Sequence, residues 1–147
     1  MNPLRSIAKS ARDLLVPRAS RRENVPLRAV NVTRGSALAS QLEVAGSGSR
    51  RRKGLLGRDG LPPGGGLWIV PCESVHTFFM RFPIDLVYLD RSNRVKKVRS
   101  GVGAWRISAC LSAHSVLELP VGAVHDSGTQ RGDVVEFQEV SSETSTT

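Results

Sequence analysis

The residues with the clearest chemical potential lie in one apolar stretch, residues 76–89, with the sequence HTFFMRFPIDLVYL. This stretch contains three of the four phenylalanines and two charged side chains, Arg81 and Asp85. A charge inside a strand-like apolar segment costs several kcal/mol unless it is paired or hydrogen-bonded. We therefore expect Asp85 to accept hydrogen bonds from groups that the fold brings from distant parts of the chain.

A second carboxylate, Glu118, lies in another apolar segment, residues 114–119. If Asp85 and Glu118 shared one cleft, burial and like charge would raise the pKa of one of them and allow acid–base chemistry. Alternatively, each carboxylate accepts hydrogen bonds and fixes a loop, and the pattern favours this structural role. A ligand-binding cleft around the two groups would combine six polar side chains. These are His76, Thr77, Arg81, Asp85, His114 and Glu118.

Cysteine and histidine offer two further kinds of chemistry. Cys72, His76 and Met80 are spaced four residues apart and carry the soft ligand atoms that copper prefers. In an extended segment these neighbours would lie about 13 Å apart, too far for one metal ion, so no metal site and no cofactor are predicted. Cys72 with His76 or His114 could act as a nucleophile and its base, although cysteine more often serves as a small buried hydrophobic residue.

A run of four cations follows a segment rich in glycine and serine. Ser47 or Ser49 could cap one or two helical turns there, and Gly57 could end them. Such a turn could bind an anion with strong salt dependence, although an exposed, solvated face is the more ordinary role of a basic run. The four cations are Arg50, Arg51, Arg52 and Lys53.

The net charge of +8 is concentrated in one part of the chain. Residues 1–58 carry a net charge of +10, whereas residues 59–147 carry −2. Nucleic-acid-binding domains combine basic and stacking aromatic residues on one folded surface, but the aromatic residues here lie in the slightly acidic part. The distribution therefore disfavours nucleic acid as a partner. Trp68 and Trp105 could form a platform for a sugar or a base, although packing is the more ordinary role of tryptophan.

Two cysteines are too few for a disulfide framework. No apolar run approaches the ~20 residues of a membrane helix. The longest apolar run near the N-terminus, Leu14-Leu15-Val16, is too short for a secretory signal. We therefore expect a cytoplasmic protein, with a transit-like peptide as the alternative.

Alternating apolar and polar residues, separated by turns rich in glycine and proline, predict several short strands. The predicted fold is mainly β, a small antiparallel β-sandwich or barrel with one short helix at residues 49–57. In the central stretch, Phe78, Met80 and Phe82 are expected to share one face of an extended segment. The other strands are predicted at residues 27–33, 38–44, 67–70, 94–99, 114–119 and 134–138.

Residues 25–140 are expected to form a single β-rich domain. The preceding residues 1–24 are a basic tail in which apolar residues recur at helical spacing. This tail is expected to be disordered or to form a short amphipathic helix at an anionic membrane surface. Residues 141–147 are expected to be a disordered C-terminus.

Several motifs form a pattern that spans residues 27–137. They are Gly54-Leu-Leu-Gly-Arg58, Leu61 with its Pro-Gly loop, the central motif from His76 to Asp85, Val116-Leu-Glu-Leu119 with Gly122, and Gly132-Asp133. The pattern resembles the family called domain of unknown function 192, and the long central motif is its specific part. Relatives often carry Met where this chain has Leu56, a difference expected to affect packing only. The resemblance implies a compact, mainly β fold and no established activity.

Together these observations favour a monomeric, non-enzymatic module that binds a small molecule or a protein near residues 76–85. One alternative is a small hydrolase-like enzyme that uses Asp85 and Glu118, or Cys72 with a histidine. Another is weak association of the basic N-terminal part with nucleic acid or an anionic membrane surface.

Overall fold

The computed structural model describes residues 25–140, so the predicted tails at residues 1–24 and 141–147 lie outside the described residues. The described part is mainly β, with two short helices where the sequence predicted one. None of these helices is both long enough and apolar enough to cross a membrane. The elements are β1 (Leu27–Asn31), β2 (Ser36–Ala45), α1 (Gly48–Lys53), β3 (Gly65–Ile69), β4 (Ser74–His76), β5 (Ile84–Leu89), β6 (Val95–Val102), β7 (Ile107–Ala109), β8 (Ser115–Pro120), α2 (Ala123–Ser127) and β9 (Val135–Glu139).

Seven strands form one sheet in the order β6-β5-β8-β3-β2-β1-β9, and β4 pairs with β7 in a second, two-stranded sheet. Neighbours in the large sheet are antiparallel except β2 and β3, which run parallel. The sheet is therefore mixed, with one parallel pair, and it agrees with the predicted fold in being mainly antiparallel. The parallel pair arises because the connection from β2 to β3 contains α1 and is a crossover. It brings the chain back to the end of the sheet at which β2 begins, so that β3 runs beside β2 in the same direction.

The large sheet curls into a half-barrel. Its edge strands β6 and β9 meet at one end, where Arg94 and Val134 form a bridge and the amide of Val95 donates to the carbonyl of Asp133 at 2.8 Å. The ring of Trp68 from β3 stacks on that of Phe137 from β9, with centroids 3.9 Å apart. These two strands are three places apart in the sheet order, so only a strongly twisted and bent sheet brings them together.

Strands β5 and β8 are interior strands of the sheet and are buried on both faces. Alternate residues of each strand pack in two separate clusters, one on each face. In β5, Val87 and Leu89 belong to the first cluster, whereas Leu86 and Tyr88 belong to the second. A polar residue in either strand is therefore enclosed whichever face it points to, which explains why both sequences are nearly continuous apolar runs.

Asp85 of β5 is 1% exposed, and its carboxylate accepts three backbone hydrogen bonds. Oδ1 accepts from the amide of Gly101 at 2.8 Å, and Oδ2 accepts from the amides of Gly122 and Val124, both at 3.1 Å. The last two amides open helix α2, whose N-cap Gly122 has no side-chain acceptor of its own. The prediction that distant groups satisfy Asp85 is confirmed, and its carboxylate caps the helix that the sequence did not predict.

The chain between β4 and β5 is not the extended segment that the sequence predicted. Residues 77–83 turn instead, and Phe79 has a backbone φ of 63°. Met80 is buried whereas Phe79 is 73% exposed, and Phe78, Met80 and Phe82 do not share the face of a strand. The turn depends on hydrogen bonds to a distant loop, described below, which no local pattern in the sequence predicts.

Candidate functional site

A cleft of about 540 Å³ opens between helix α1 and the segment that leads from β3 into β4. Helix α1 forms one wall, residues 71–76 form the other, and Glu118 of β8 lies at the floor. The residues that decide its chemistry are Arg51, Arg52, Gly54, Cys72, His76 and Glu118.

Glu118 is the group in this cleft that most clearly lacks a partner. The residue is 4% exposed, and its Oε2 atom has no hydrogen-bond partner among residues 25–140. Burial raises the pKa of Glu118 to about 7, although the guanidinium of Arg58 acts in the opposite direction. Because a buried carboxyl without a partner is costly, a molecule in the cleft that hydrogen-bonds with Oε2 would be stabilised there.

Helix α1 is defined by capping residues at both ends. Ser47, one of the two predicted caps, accepts a hydrogen bond from the amide of Arg50 at 3.4 Å. The helix ends at Gly54 rather than at the predicted Gly57, and the amide of Gly54 donates to the carbonyl of Arg50 at 2.9 Å. Gly54 can close the helix there because its φ of 48° and ψ of −126° suit glycine.

The predicted anion-binding run divides between two hollows on either side of α1. Arg51 and Arg52 line the cleft, whereas Arg50 and Lys53 line a neighbouring cavity of about 270 Å³. Arg51 is half-buried and its Nη1 donates to the carbonyl of Gly46 at 2.6 Å, whereas Arg52 is exposed. The cleft therefore has a cationic wall of two guanidinium groups beside a carboxyl floor.

The thiol of Cys72 lies in the opposite wall and is not activated for nucleophilic attack. Its Sγ donates to the carbonyl of Ser74 at 3.1 Å. Burial raises the pKa of the Cys72 thiol above its ordinary value, although the hydrogen bond to Ser74 opposes this shift. Since the thiolate is the nucleophilic form, a protonated thiol at neutral pH is a poor nucleophile.

Four rings form an aromatic row that begins at the rim of the cleft. His76 stacks on Phe78 with centroids 5.0 Å apart, Phe78 contacts Trp105 at 5.8 Å, and Trp105 meets the edge of Phe79 at 4.6 Å. Phe79 and Trp105 both have positive φ angles, 63° and 62°, and both are exposed. Bulky residues with such φ angles are strained unless the surrounding structure holds them, so the turns that carry the aromatic row depend on the hydrogen bonds around them.

Comparison with known proteins places this arrangement in a family. The family model DUF192, described as Uncharacterized ACR, matches residues 29–137. The chain belongs to the DUF192 family. A UPF0127 protein from Thermococcus gammatolerans is 29% identical over 114 residues, which cover 74% of this chain and 73% of that protein. A second UPF0127 protein, from Thermococcus kodakarensis, is 27% identical over 114 residues that cover 74% of this chain and 71% of that protein.

Two crystal structures share the fold. A protein of unknown function from Novosphingobium aromaticivorans has a TM-score of 0.66 at 19% identity, covering 76% of this chain and 83% of that one. A Sinorhizobium meliloti protein described as a putative transcription regulator has a TM-score of 0.68 at 21% identity, covering 77% of this chain and 92% of that one. The resemblance to domain of unknown function 192 is confirmed. Because both structures are under 25% identical they show the fold alone, and the family and its UPF0127 members are described without an activity. Function in this DUF192 protein therefore has to be argued from its site.

Three of the motifs that carry the family resemblance meet at the cleft. Gly54 begins the first motif and lies beside Glu118 of the later one, because a Cβ at Gly54 would be 3.8 Å from Glu118 Oε2. The central motif begins with His76 in the cleft wall and ends with Asp85, whose carboxylate caps α2. The DUF192 motifs in this chain therefore both build the scaffold and line the cleft.

Of the six polar residues predicted to form a ligand-binding cleft, only His76 and Glu118 line this one. Asp85 lies opposite Leu119 in the β5–β8 pair, whereas Glu118 lies opposite Leu86. Since opposed residues share a face and successive residues alternate, the two carboxylates point to opposite faces of the sheet. They cannot act as one acid–base pair.

The remaining predicted residues have separate structural partners. Arg81 forms an exposed ion pair with Asp59 at 2.7 Å instead of the local pair with Asp85 that a bend would permit. Thr77 is buried. The backbone carbonyl of His114 accepts from the amide of Cys72, and its amide donates to the carbonyl of Leu89. Burial is the main cause that lowers the pKa of the His114 imidazole, and the charge of Arg91 acts in the same direction. Within residues 25–140, no group of three or more His, Cys, Asp or Glu side chains could hold a metal ion.

Replacing Gly54 with alanine is expected to lower the free energy of unfolding by about 1–3 kcal/mol, because residues with a Cβ rarely adopt the backbone conformation of Gly54. Gly60→Ala is the matched control, since Gly60 has no positive φ and no atom within 4 Å of a built Cβ. Urea denaturation measures both variants. Equal stability of Gly54→Ala and Gly60→Ala would contradict this account of the end of α1.

Replacing Thr77 with valine is expected to lower the free energy of unfolding by about 1–3 kcal/mol, because it removes the side-chain partner of two backbone groups in partly buried hydrogen bonds. The Thr77 hydroxyl donates to the carbonyl of Gly103 at 2.7 Å and accepts from the amide of Arg106 at 2.8 Å. The Thr77 carbonyl also accepts from the amides of Met80 and Trp105. Thr77 thereby holds the two turns that carry the aromatic row.

The effect of Thr77→Val can be measured by urea denaturation followed by tryptophan fluorescence, with Thr77→Ser as the control that retains the hydroxyl. We expect Thr77→Ser to keep most of the stability and Thr77→Val to lose it. If the two variants unfolded at the same urea concentration, the hydroxyl would not be what holds these turns.

Proposed function

We propose that this protein is a non-enzymatic module that binds a small polar ligand in the cleft above Glu118. The observation that carries the proposal is the buried Oε2 atom of Glu118, which has no hydrogen-bond partner in the described part of the chain although the residue lines an open cleft. Native proteins rarely leave buried polar atoms unpaired unless a ligand, water or ion completes the site. A ligand group that hydrogen-bonds with Oε2 would complete it.

The size and composition of the cleft support this proposal. Its volume of about 540 Å³ falls within the range of small-molecule sites, roughly 300–1,000 Å³. Its lining combines three apolar residues, Ile69, Pro71 and Val75, with several polar and charged side chains, a composition that suits a polar ligand. The proposed location is the cytoplasm, a reducing compartment that suits the two free cysteines, Cys72 and Cys110.

A hydrolase-like enzyme is the second candidate function, because a carboxyl with a pKa near neutrality can both give and accept a proton. Glu118 has this property. The predicted second groups are less suitable, since Asp85 points to the other face of the sheet and Cys72 has a protonated thiol. Weak association of the basic N-terminal part with nucleic acid or an anionic membrane surface stays a prediction that a salt titration would test.

The proposal can be tested by NMR titration of the ¹⁵N-labelled full chain with a library of small amines, amino acids, carboxylates and phosphates. We expect compounds that bind to shift the amide signals of Gly54, Cys72 and His76 and to lose affinity for Glu118→Gln. Glu136→Gln, a change at an exposed glutamate of β9, is the control and should bind as the wild type does. Shifts that persist in Glu118→Gln, or no binding at all, would overturn the proposal.

The same samples separate binding from catalysis. Each compound that binds is followed by ¹H NMR over hours with and without the protein. We expect the compounds to remain chemically unchanged. Conversion that depends on Glu118 would favour the hydrolase-like alternative over a binding module.

A further inference from the structure

The cleft holds charges of both signs that are not paired with each other. Arg51 and Arg52 line its wall and Glu118 lies at its floor, yet no ion pair joins Glu118 to a cation within residues 25–140. The Arg51 guanidinium donates to the carbonyl of Gly46 instead. Arg58 is the cation whose charge opposes the raised pKa of Glu118. Its guanidinium is bound by Glu43 through two hydrogen bonds of 2.6 and 3.2 Å.

The groups around Glu118 do not neutralise it. Its direct neighbours in the sheet are Leu67 on β3 and Leu86 on β5. Cys72 and Tyr88 belong to the cluster on the same face of the sheet as Glu118, and both are uncharged at neutral pH because burial raises the pKa of the Cys72 thiol and of the Tyr88 hydroxyl. The other charged or titratable residues that line the cleft are Arg51, Arg52, Glu73 and His76, of which Glu73 and His76 are exposed at the rim.

The cleft has a carboxyl at its floor and two guanidinium groups on its wall, and these groups are not paired with each other. Such a cleft is complementary to a molecule with a cationic group at the end near the carboxyl and an anionic group at the end near the guanidinium groups. We propose that the ligand is a small zwitterion, with an ammonium or amidinium group that hydrogen-bonds with Glu118 and a carboxylate or phosphate group that binds Arg51 and Arg52. This inference rests on the proposed function, since it names the ligand class for the same cleft.

Neither charge alone satisfies the site. A simple cation at Glu118 gains one charge-assisted hydrogen bond but enters beside two guanidinium groups that repel it. A simple anion pairs with Arg51 and Arg52, but it leaves Glu118 buried without a partner whenever the carboxyl is ionised. A zwitterion satisfies both ends at once, and it adds little net charge to the cleft.

Binding of an ammonium group is linked to a proton. Because the ammonium interacts with ionised Glu118, whose pKa is about 7 before binding, binding below this pH releases the proton from the carboxyl. As pH increases toward the pKa of Glu118, the affinity for the ammonium should therefore increase by up to about tenfold per pH unit. Above the pKa the affinity should be constant. An anionic ligand that accepts a hydrogen bond from protonated Glu118 would show the opposite dependence.

Isothermal titration calorimetry of the full chain with four probes tests the inference. The probes are ethylamine, acetate, 4-aminobutyrate and phosphoethanolamine, each at millimolar concentration from about pH 5.5 to about pH 7.5. We expect a zwitterionic probe to bind at least about tenfold more tightly than ethylamine or acetate, with affinity that increases with pH.

Two variants and one matched control assign the two ends of the ligand. Glu118→Gln should reduce the affinity of the zwitterion to that of the anion and abolish its pH dependence. Arg52→Gln should weaken the zwitterion without changing its pH dependence. Lys53→Gln removes a cation of the same helix that lines the neighbouring cavity and should leave the zwitterion's affinity unchanged.

The failure of this inference is distinguishable from the failure of the proposed function. If acetate binds most tightly and its affinity falls as pH rises, the ligand is an anion and the binding function stands. The same holds if all four probes fail while the library yields another ligand that depends on Glu118. If neither the probes nor the library bind in the cleft, both proposals fall.

Discussion

Replacing Asp85 with asparagine is expected to lower the free energy of unfolding by about 3 kcal/mol or more, because the change removes a charged acceptor from a buried site. The carboxylate accepts from the amides of Gly101, Gly122 and Val124. An asparagine side chain has one oxygen and one NH₂ group in place of the two carboxylate oxygens. Either the amide of Gly101 or the amides of Gly122 and Val124 would therefore point at an NH₂ group and lose their acceptor. The N-terminus of α2 would lose its cap, and the β6 end would lose its link to β5.

Chemical denaturation of the full chain in urea measures this effect, and Asp59→Asn is the matched control. Asp59 pairs with Arg81 in an ion pair whose side chains are 88% and 60% exposed, and such pairs contribute about 0–1 kcal/mol. We expect the control to unfold near the wild-type midpoint. A stable Asp85→Asn protein would mean that the three backbone hydrogen bonds do not hold this part of the fold, and it would reopen a catalytic role for Asp85.

Replacing Glu118 with glutamine is expected to have the opposite effect on stability, and the effect should depend on pH. Burial raises the pKa of Glu118 from its ordinary value of 4.5 to about 7, so the folded protein binds this proton more tightly than the unfolded chain does. The contribution of Glu118 to stability is therefore fully present below about pH 4.5, is lost as pH rises toward 7, and stays lost above it. Glutamine does not titrate. The free energy of unfolding of Glu118→Gln should therefore increase relative to that of the wild type by about 3 kcal/mol as pH rises from 4 to 8.

The measurement is the difference in unfolding free energy between Glu118→Gln and the wild type across that pH range. Glu136→Gln serves as the control because its side chain is exposed on β9, and its difference should stay within about 0.5 kcal/mol. A flat difference for Glu118→Gln would show that the carboxyl is solvated in the free protein. The argument for a ligand that completes its hydrogen bonding would then fail.

The mainly β architecture was predictable because alternation and turn residues encode strands locally. The alternating segments 27–33 and 38–44, for example, became β1 and β2. What the sequence did not predict depends on contacts between distant residues. Helix α2 has only five residues and takes its cap from Asp85 on another strand, and the parallel pairing of β2 with β3 depends on where the α1 crossover places the chain.

The candidate site was predicted in part, for a similar reason. Burial of a carboxylate in an apolar run identified Asp85 and Glu118 as unusual, but a run that is buried on both faces gives no sign of which face each residue points to. The register of β5 with β8 settles this, because it sets Asp85 opposite Leu119 and Glu118 opposite Leu86. Register is a property of two strands, so no pattern within one of them could separate the structural carboxylate from the one in the cleft.

The pairing of β1 with β9 has a consequence for how the chain is made. The two strands are joined from Leu27 opposite Glu139 to Asn31 opposite Val135, and the side-chain hydrogen bond from Arg28 to Gln138 spans 110 residues of sequence. On the ribosome, β1 emerges long before β9 and cannot complete the half-barrel until translation has passed β9. During that interval β1 presents an open edge on which neighbouring nascent chains can pair, so the cell has reason to shield this protein while it is being synthesised.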